Sequence, residues 1–307
     1  MAKANNFAYS TVFQTALDRQ IAAVATTGWM ELNSGLVRYE GGAEVKIPSI
    51  VMDGLADYDR AKGFVDGSVT LTWQTHRMTQ DRGRSFSLDA MDVSETNFVA
   101  TAGQVMGEFQ RQHVVTEIDA YRYSKLAQIA ATAGRTRDAE ITKDNIVEEL
   151  LTDLAALEDT VGLDNLVITL NPILAMQLGL AGEKFMSKTD LRRGEINTRV
   201  DSFNEAALVR AGSQVLKTSF VFSDGTTGGQ EVGGFSVAED ARDINWIITP
   251  RTTPVAISKT DKVRTFSPDV NQQADAWKVD YRKYHDLWVL DNQTDRIIVN
   301  LKPEAGA

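Results

Sequence analysis

An α+β fold is what this sequence predicts, on three features. Period-two alternation at Val45-Lys46-Ile47 and again from Val69 to Gln74 brackets a charged, glycine-rich turn region. One very long helical pattern follows over residues 92–133. The last third of the chain is mainly extended. A projecting hairpin hung on a long helix suits a subunit that reaches across its neighbours. Function is therefore expected in shape and self-association rather than in a pocket.

Residues 1–44 read as a weakly structured arm with one short helix over 12–25, punctuated by Gly28, Gly35, Gly41 and Gly42. The first strand ends at Pro48, which cannot donate to a ladder. Residues 53–67 place Gly54, Gly63 and Gly67 among Asp53, Asp57, Asp59 and Asp66, a long turn. Val69, Leu71 and Trp73 then alternate with Thr70, Thr72 and Gln74, and a third extended piece covers 84–88. A hairpin arm of about 18 residues would project on the order of 60 Å. That exceeds what a core of this size covers, so a partner is expected to bury it.

In the long helix, Ser94 is the expected N-cap, with Glu95 in the first turn where the helix dipole favours a carboxylate. Phe98, Ala102, Val105 and Phe109 share one stripe; Ile118, Tyr121, Leu126 and Ile129 share a second. The offset between them falls at the β-branched Val114-Val115-Thr116, where a bend is expected. Gly134 ends the pattern. A second helix covers 143–157, and Asn165 to Leu170 reads as a buried strand. Asn171-Pro172 supplies a cap and a first-turn proline for a short helix to about residue 180. A glycine-rich, mobile loop is expected at 224–234, then short strands at 244–249 and 255–258. Residues 277–290 alternate as a long strand, turn at Asp291-Asn292 and return over 297–301 as a terminal hairpin.

Composition narrows the chemistry. The 307 residues, 43% hydrophobic and 24% charged, are ordinary for a folded chain able to bury one large core or two modest ones. With no cysteine there is no disulfide, thiolate metal site or cysteine nucleophile. The opening residues lack the apolar core of a signal peptide, and no apolar run is long enough to cross a bilayer, so a cytoplasmic product and no membrane partner are expected. A net charge of -10 without a basic block argues against sequence-specific DNA binding, yet is compatible with merely enclosing a nucleic acid.

No catalytic, cofactor-binding or metal-ligating set is expected. Gly234-Phe235-Ser236-Val237-Ala238 nearly matches a nucleophile elbow, which makes a serine hydrolase on Ser236 a remote alternative. The nearest base, His285-Asp286, lies in an alternating strand whose consecutive side chains point to opposite faces. His76, His113 and His285 are isolated, so no zinc spacing arises, and the aspartates of the turn do not follow a calcium-loop pattern.

Several blocks occur in a recognisable order: Val45-Lys46-Ile47-Pro48, Gly54-Leu55-Ala56-Asp57-Tyr58-Asp59-Arg60, and Asp81-Arg82-Gly83-Arg84-Ser85-Phe86. They continue with Asp89-Ala90-Met91-Asp92, Glu95-Thr96, Glu117-Ile118-Asp119-Ala120-Tyr121-Arg122 and Tyr284-His285-Asp286-Leu287-Trp288-Val289-Leu290-Asp291. With them, nearly the whole chain resembles the major capsid proteins of tailed bacteriophages with the Hong Kong 97-type fold, in the branch common among phages of Gram-positive bacteria. The family often has proline where Thr116 stands, so the bend is expected to be gentler here.

That resemblance implies an N-terminal arm at 1–44, an extended hairpin loop at 45–90 and a peripheral domain with a spine helix at 91–160. An axial domain at 161–270 and a terminal hairpin returning to the peripheral domain at 271–307 complete it. It implies hexamers and pentamers forming an icosahedral shell around double-stranded DNA, assembled in the host cytoplasm, with portal and decoration proteins as further partners. Only 44 residues precede Val45, too few for the scaffolding segment that some relatives cleave, so a separate scaffolding protein or none is expected. An encapsulin-type compartment holding a cargo enzyme is the alternative on the same fold.

Inter-subunit contacts are expected at Tyr58, Arg60, Phe64, Arg82 and Arg84. Tyr58 and Phe64 suit interface anchors, with packing inside the tip as the alternative. Arg82 and Arg84 suit bridges to a neighbour's carboxylates, with an intrachain network at the hairpin base as the alternative. Some relatives cross-link a hairpin lysine to an asparagine; Lys46 and Lys62 invite the comparison, but are expected to be ordinary solvated lysines.

Overall fold

The computed structural model describes residues 25–39, 43–58, 60, 63–89, 106–158, 161–193 and 196–304. The expected helix over 12–25, the cap at Ser94, the stripe of Phe98, Ala102 and Val105, and Lys62 lie outside the described residues, Ala25 excepted.

A 3-10 segment, Gly28–Leu36, leads into β1 (Arg38–Tyr39), which pairs with β2 (Glu44–Met52); β2 in turn pairs antiparallel with β3 (Val69–Arg77). The register runs from Glu44 opposite Arg77 to Met52 opposite Val69. Only the root of this ribbon is buried: Val45, Ile47 and Met78 pack with Val255, Ile257, Trp288 and Leu290. β4 (Gln80–Asp89) follows after two residues.

Residues 106–109 are helical, a π-helical turn occupies Gln110–Val114, and α1 continues as Val115–Thr132. The irregularity thus lies just before the β-branched run where a bend was expected. Gly134 sits at φ 66°, and the amides of Gly134 and Arg135 reach back to the carbonyls of Ala131 and Ala130 at 3.1 and 2.8 Å. That is the double bond of a Schellman cap, and only glycine adopts its left-handed backbone without strain.

β5 (Thr136–Asp138) and α2 (Ile146–Glu158) precede β6 (Leu166–Leu170). α3 (Pro172–Ala181) is capped as the sequence predicts, the Asn171 side chain accepting from the Leu174 amide at 2.9 Å. There follow β7 (Met186–Arg193), β8 (Ile196–Phe203), β9 (Ala206–Arg210), β10 (Phe220–Phe222), β11 (Phe235–Val237), β12 (Ile244–Pro250), β13 (Pro254–Phe266), β14 (Ala276–Val289) and β15 (Ile298–Leu301).

Two sheets organise the body. The larger has seven strands in the order β5-β15-β12-β6-β9-β8-β7. Every residue of β6 and β12 is buried, as a strand covered on both faces requires. On one face Ile146, Leu150, Leu154 and Leu178 of α2 and α3 pack on Leu166, Ile168, Trp246 and Ile298. On the other, Ala120, Tyr123, Leu126 and Ala130 of α1 pack on Val167, Val209, Ile247 and Val299. The second sheet, β13-β14-β4, is covered on one face by the start of the same helix, where Met106 and Phe109 meet Phe86, Val279 and Tyr281.

Two expectations need correction. The terminal hairpin does not form: β14 is paired along both edges, by β13 and β4, while β15 joins β12 and β5. The six-residue 3-10 segment Asp291–Arg296 carries the chain from one sheet to the other. The strand expected at 255–258 is one third of β13, and a bulge between Ser258 and Thr260 breaks its alternation. The 224–234 loop is held by its own hydrogen bonds: Asp224 accepts from the amides of Thr226 and Thr227 and from the Thr227 hydroxyl. Its glycines 225, 229, 233 and 234 supply positive φ, between 74° and 87°.

Candidate functional site: the hairpin arm and its root

The β2–β3 ribbon is amphipathic in cross-section. Residues directly opposite share a face, so the pairs Pro48–Trp73, Ile50–Leu71 and Met52–Val69 line one side. Ser49 with Thr72, and Val51 with Thr70, lie on the other. Ile50, Met52, Leu71 and Val69 are all more than half exposed, and Arg38 stacks over Trp73 at 5.0 Å. Past Met52 the exposure grows: Leu55 is fully exposed, Phe64 88% and Val65 66%. The neck is closed by the Ser68 amide donating to Asp53 at 2.7 Å. Tyr58 and Phe64 pack on each other with ring centroids 4.8 Å apart, which is the alternative considered for them, yet both remain exposed; Arg60 is exposed too. A soluble monomer rarely leaves so contiguous an apolar surface to water.

At the root, one helix gathers three separated segments through the Glu117 to Tyr123 stretch. Glu117 accepts from Arg82 Nε at 2.6 Å. Asp119, almost fully buried, accepts from both the amide and hydroxyl of Thr26 (3.0 and 2.7 Å) and of Thr27 (3.1 and 2.5 Å). Arg122 pairs with Glu31 at 2.5 Å and reaches the Thr27 carbonyl. The Tyr121 hydroxyl donates to Asp286 Oδ1 at 2.6 Å, while the amide and hydroxyl of Thr79 donate to Asp286 Oδ2 at 2.8 and 3.0 Å. Thr79 is the last residue before β4, so Asp286 fixes the point from which the hairpin departs. Burial first, and then the Asp286 charge, raises the Tyr121 phenol and keeps it a donor.

Arg82 and Arg84 form the intrachain network that was the alternative to bridges. Being two apart on β4 they share a face, and both reach the 224–234 loop. Arg82 Nη1 and Nη2 donate to the carbonyls of Ser223 and Gly234 at 2.7 and 3.1 Å, and both Arg84 nitrogens lie 3.4 Å from the Glu231 carbonyl. Gly83 between them is required by close approach, since a Cβ there would meet the Tyr281 carbonyl at 2.8 Å. What the sequence reading missed was the acceptor set: backbone carbonyls leave no signature in side-chain type.

His285 lies against this network, its ring edge-on to Tyr121 at 5.6 Å. Burial, with Arg122, Lys283 and Arg82 near, depresses its pKa well below 6.5. A folded pKa below the unfolded one means the unfolded chain takes up the proton first, so stability is full above about pH 6.5 and falls as pH drops below it. Between pH 7.5 and 5.5 the loss is expected to be about 1 kcal/mol. In urea titrations His285→Phe should remove that difference; an equal drop in wild type and variant would contradict it. Glu31 acts in the same direction at lower pH. Burial raises its pKa, but Arg122 and Lys283 outweigh this and hold it below 4.5, so its contribution is lost as pH falls through that region.

Ser236 sits in the middle of β11, opposite Val221, in extended backbone rather than at a strand-to-helix elbow. Among the described residues no group of three or more His, Asp or Glu could hold a metal ion. No described helix is long and apolar enough to cross a membrane.

No family model matches the sequence, and no curated protein does. Solved structures do match, and they define the class: this is a capsid-type fold. The capsid of cyanophage P-SCSP1u aligns over 87% of this chain and 85% of its own at 9% identity, with a TM-score of 0.55. The capsid of Staphylococcus phage Andhra gives the same identity and TM-score over 87% and 82%. A virus-like particle from Pyrococcus furiosus aligns over 95% of this chain and 99% of its own, at 10% identity and a TM-score of 0.50.

Proposed function

We propose that this chain is the major capsid protein of a tailed bacteriophage, with the Hong Kong 97-type fold and of the branch common in phages of Gram-positive bacteria. It assembles in the host cytoplasm as hexamers and pentamers into an icosahedral shell that encloses double-stranded DNA without reading its sequence. A scaffolding protein, portal and decoration proteins are its further partners. In this reading the β2–β3 arm lies over the adjacent subunit, and the helix ending in α1 is the spine from which it is held.

One observation carries the reading. The arm exposes an apolar face and tip, Ile50, Met52, Leu55, Phe64 and Val65 among them, that the described residues of its own body do not cover, on a fold otherwise seen in capsid shells. A repeated heterologous contact, arm of one copy on body of the next, closes into rings. The second reading, a compartment of the encapsulin type, is favoured by the match to the virus-like particle along nearly the full length of both chains. Negative-stain electron microscopy of the expressed protein, alone and with candidate scaffolds, tests both. Closed particles are expected; a chain that stays monomeric under all these conditions rules them out, and a co-purifying enzyme inside the particles selects the compartment.

A further inference from the structure

We propose that the acidic tip of the hairpin arm docks on a basic strip of the β13-β14-β4 sheet of a second copy of this chain. The inference rests on the shell reading and names the two surfaces that meet in it.

Among the described residues the tip carries Asp53, Asp57 and Asp66 against Arg60. Its described residues are exposed apart from Gly63, its apolar members Leu55, Phe64 and Val65 included. The strip follows from strand register. Lys262 stands opposite Arg282, Arg264 opposite Asp280, and Phe266 opposite Lys278, all on the face of the sheet turned away from the helix. Lys262, Arg264 and Arg282 are exposed. Arg282 is held by Asp81 at 2.5 and 2.8 Å, and Lys278 lies 4.0 Å from Asp280, which leaves Lys262 and Arg264 to face solvent with no described ion pair.

Two cations directly across an antiparallel pair repel and weaken the sheet. The Lys262–Arg282 pair stands in a chain of net charge -10, where carboxylates are the commoner exposed group. Asp81 already answers Arg282, so Lys262 and Arg264 are the cations left to meet an anion from another molecule. Beside the strip, Val270 is 61% exposed and Phe266 half-buried, so apolar surface adjoins the cations as Leu55, Phe64 and Val65 adjoin the aspartates of the tip. A phosphate backbone would use the cations and leave Val270 bare, which is why the protein partner fits better than a nucleic acid. The contact is directional, tip to strip, and so passes from copy to copy.

Charge reversal tests it. Lys262→Glu with Arg264→Glu, and separately Asp57→Lys with Asp66→Lys, are each expected to lower particle yield by at least about tenfold, since like charges brought together across an interface cost several kcal/mol. All four changes in one chain should restore the yield to within about threefold of wild type. Folding is controlled from within: a glutamate at 262 opposite Arg282 makes an attractive pair while one at 264 opposite Asp280 makes a repulsive one, so the two offset and the urea midpoint of the strip variant should change little. Strip variants that assemble at wild-type yield overturn the proposal, and so does a combined variant that is not rescued. Strip variants that form full-yield shells but retain less nucleic acid overturn it in favour of phosphate binding. Wild-type chain that never forms particles removes the shell reading and this inference together, whereas wild-type particles with indifferent variants remove this inference alone.

Discussion

Replacing residues 53–68 with Asn-Gly is expected to abolish particles while leaving the subunit as stable as before. Met52 and Val69 face each other in the register, so a two-residue turn can close the ribbon there. The removed segment contributes nothing described to the core; the buried cluster under the ribbon ends at Ile47 and Met78. What is lost is Leu55, Phe64 and Val65, each worth about 1.5–3 kcal/mol when buried on a neighbour. Even the low end of that range weakens each contact by at least about a thousandfold. Electron microscopy reads the assembly and urea unfolding the fold. Particles at normal yield from the shortened chain would show that the arm is dispensable, and the proposed function would lose its support.

Asp286→Ala carries the largest expected effect on the subunit itself. The substitution leaves the Thr79 amide, Thr79 hydroxyl, Tyr121 hydroxyl and Leu287 amide without their common acceptor in a buried place. Hydrogen bonds to a charged group contribute about 1.5–3 kcal/mol each, and a buried donor left unpaired costs a comparable amount, so a loss of about 3 kcal/mol or more is expected. Tyr121→Phe removes one donor and keeps the other three, and should cost about 1 kcal/mol. Hydrogen exchange adds a spatial readout, because the Thr79 amide should lose protection in the first variant and keep it in the second. An Asp286→Ala protein within 1 kcal/mol of wild type would mean that the root is not held here.

Much of this was legible in the sequence where the signal is local. The alternation of β3, the Asn171-Pro172 cap and the stop at Gly134 each need only neighbouring residues, and each stands where the pattern put it. The long-range pairings were not legible. Asp291-Asn292 looks like a hairpin turn from nearby, but the partner of β15 is set by β12 and β5, and no local pattern encodes that choice. β13 hid its length because its outer half is mostly charged and polar, with the bulge after Ser258 shifting the period.

The arginines show the same limit at the site. Asp81-Arg82-Gly83-Arg84 announced that something would be gripped at the hairpin base, and the carboxylate of Glu117 is part of it. The rest of the grip is on carbonyls of a loop some 140 residues away in sequence. The glycines of that loop marked it by composition alone, and its backbone uses four of them for left-handed turns. Composition reports what a segment is made of; it does not report which turns its hydrogen bonds form.

The π-helical turn at Gln110–Val114 adds one surplus residue to a rod that would otherwise keep a constant phase. Ahead of it, Met106 and Phe109 address the three-stranded sheet; beyond it, Tyr123, Leu126 and Ala130 address the seven-stranded one. The extra residue rotates every later side chain by about 100° relative to an unbroken helix. A single rod thereby serves two walls that are not in line, as an offset crank joins shafts that do not share an axis. Flexing of the body between the two sheets would load those five residues together with the Asp291–Arg296 crossing between the same sheets.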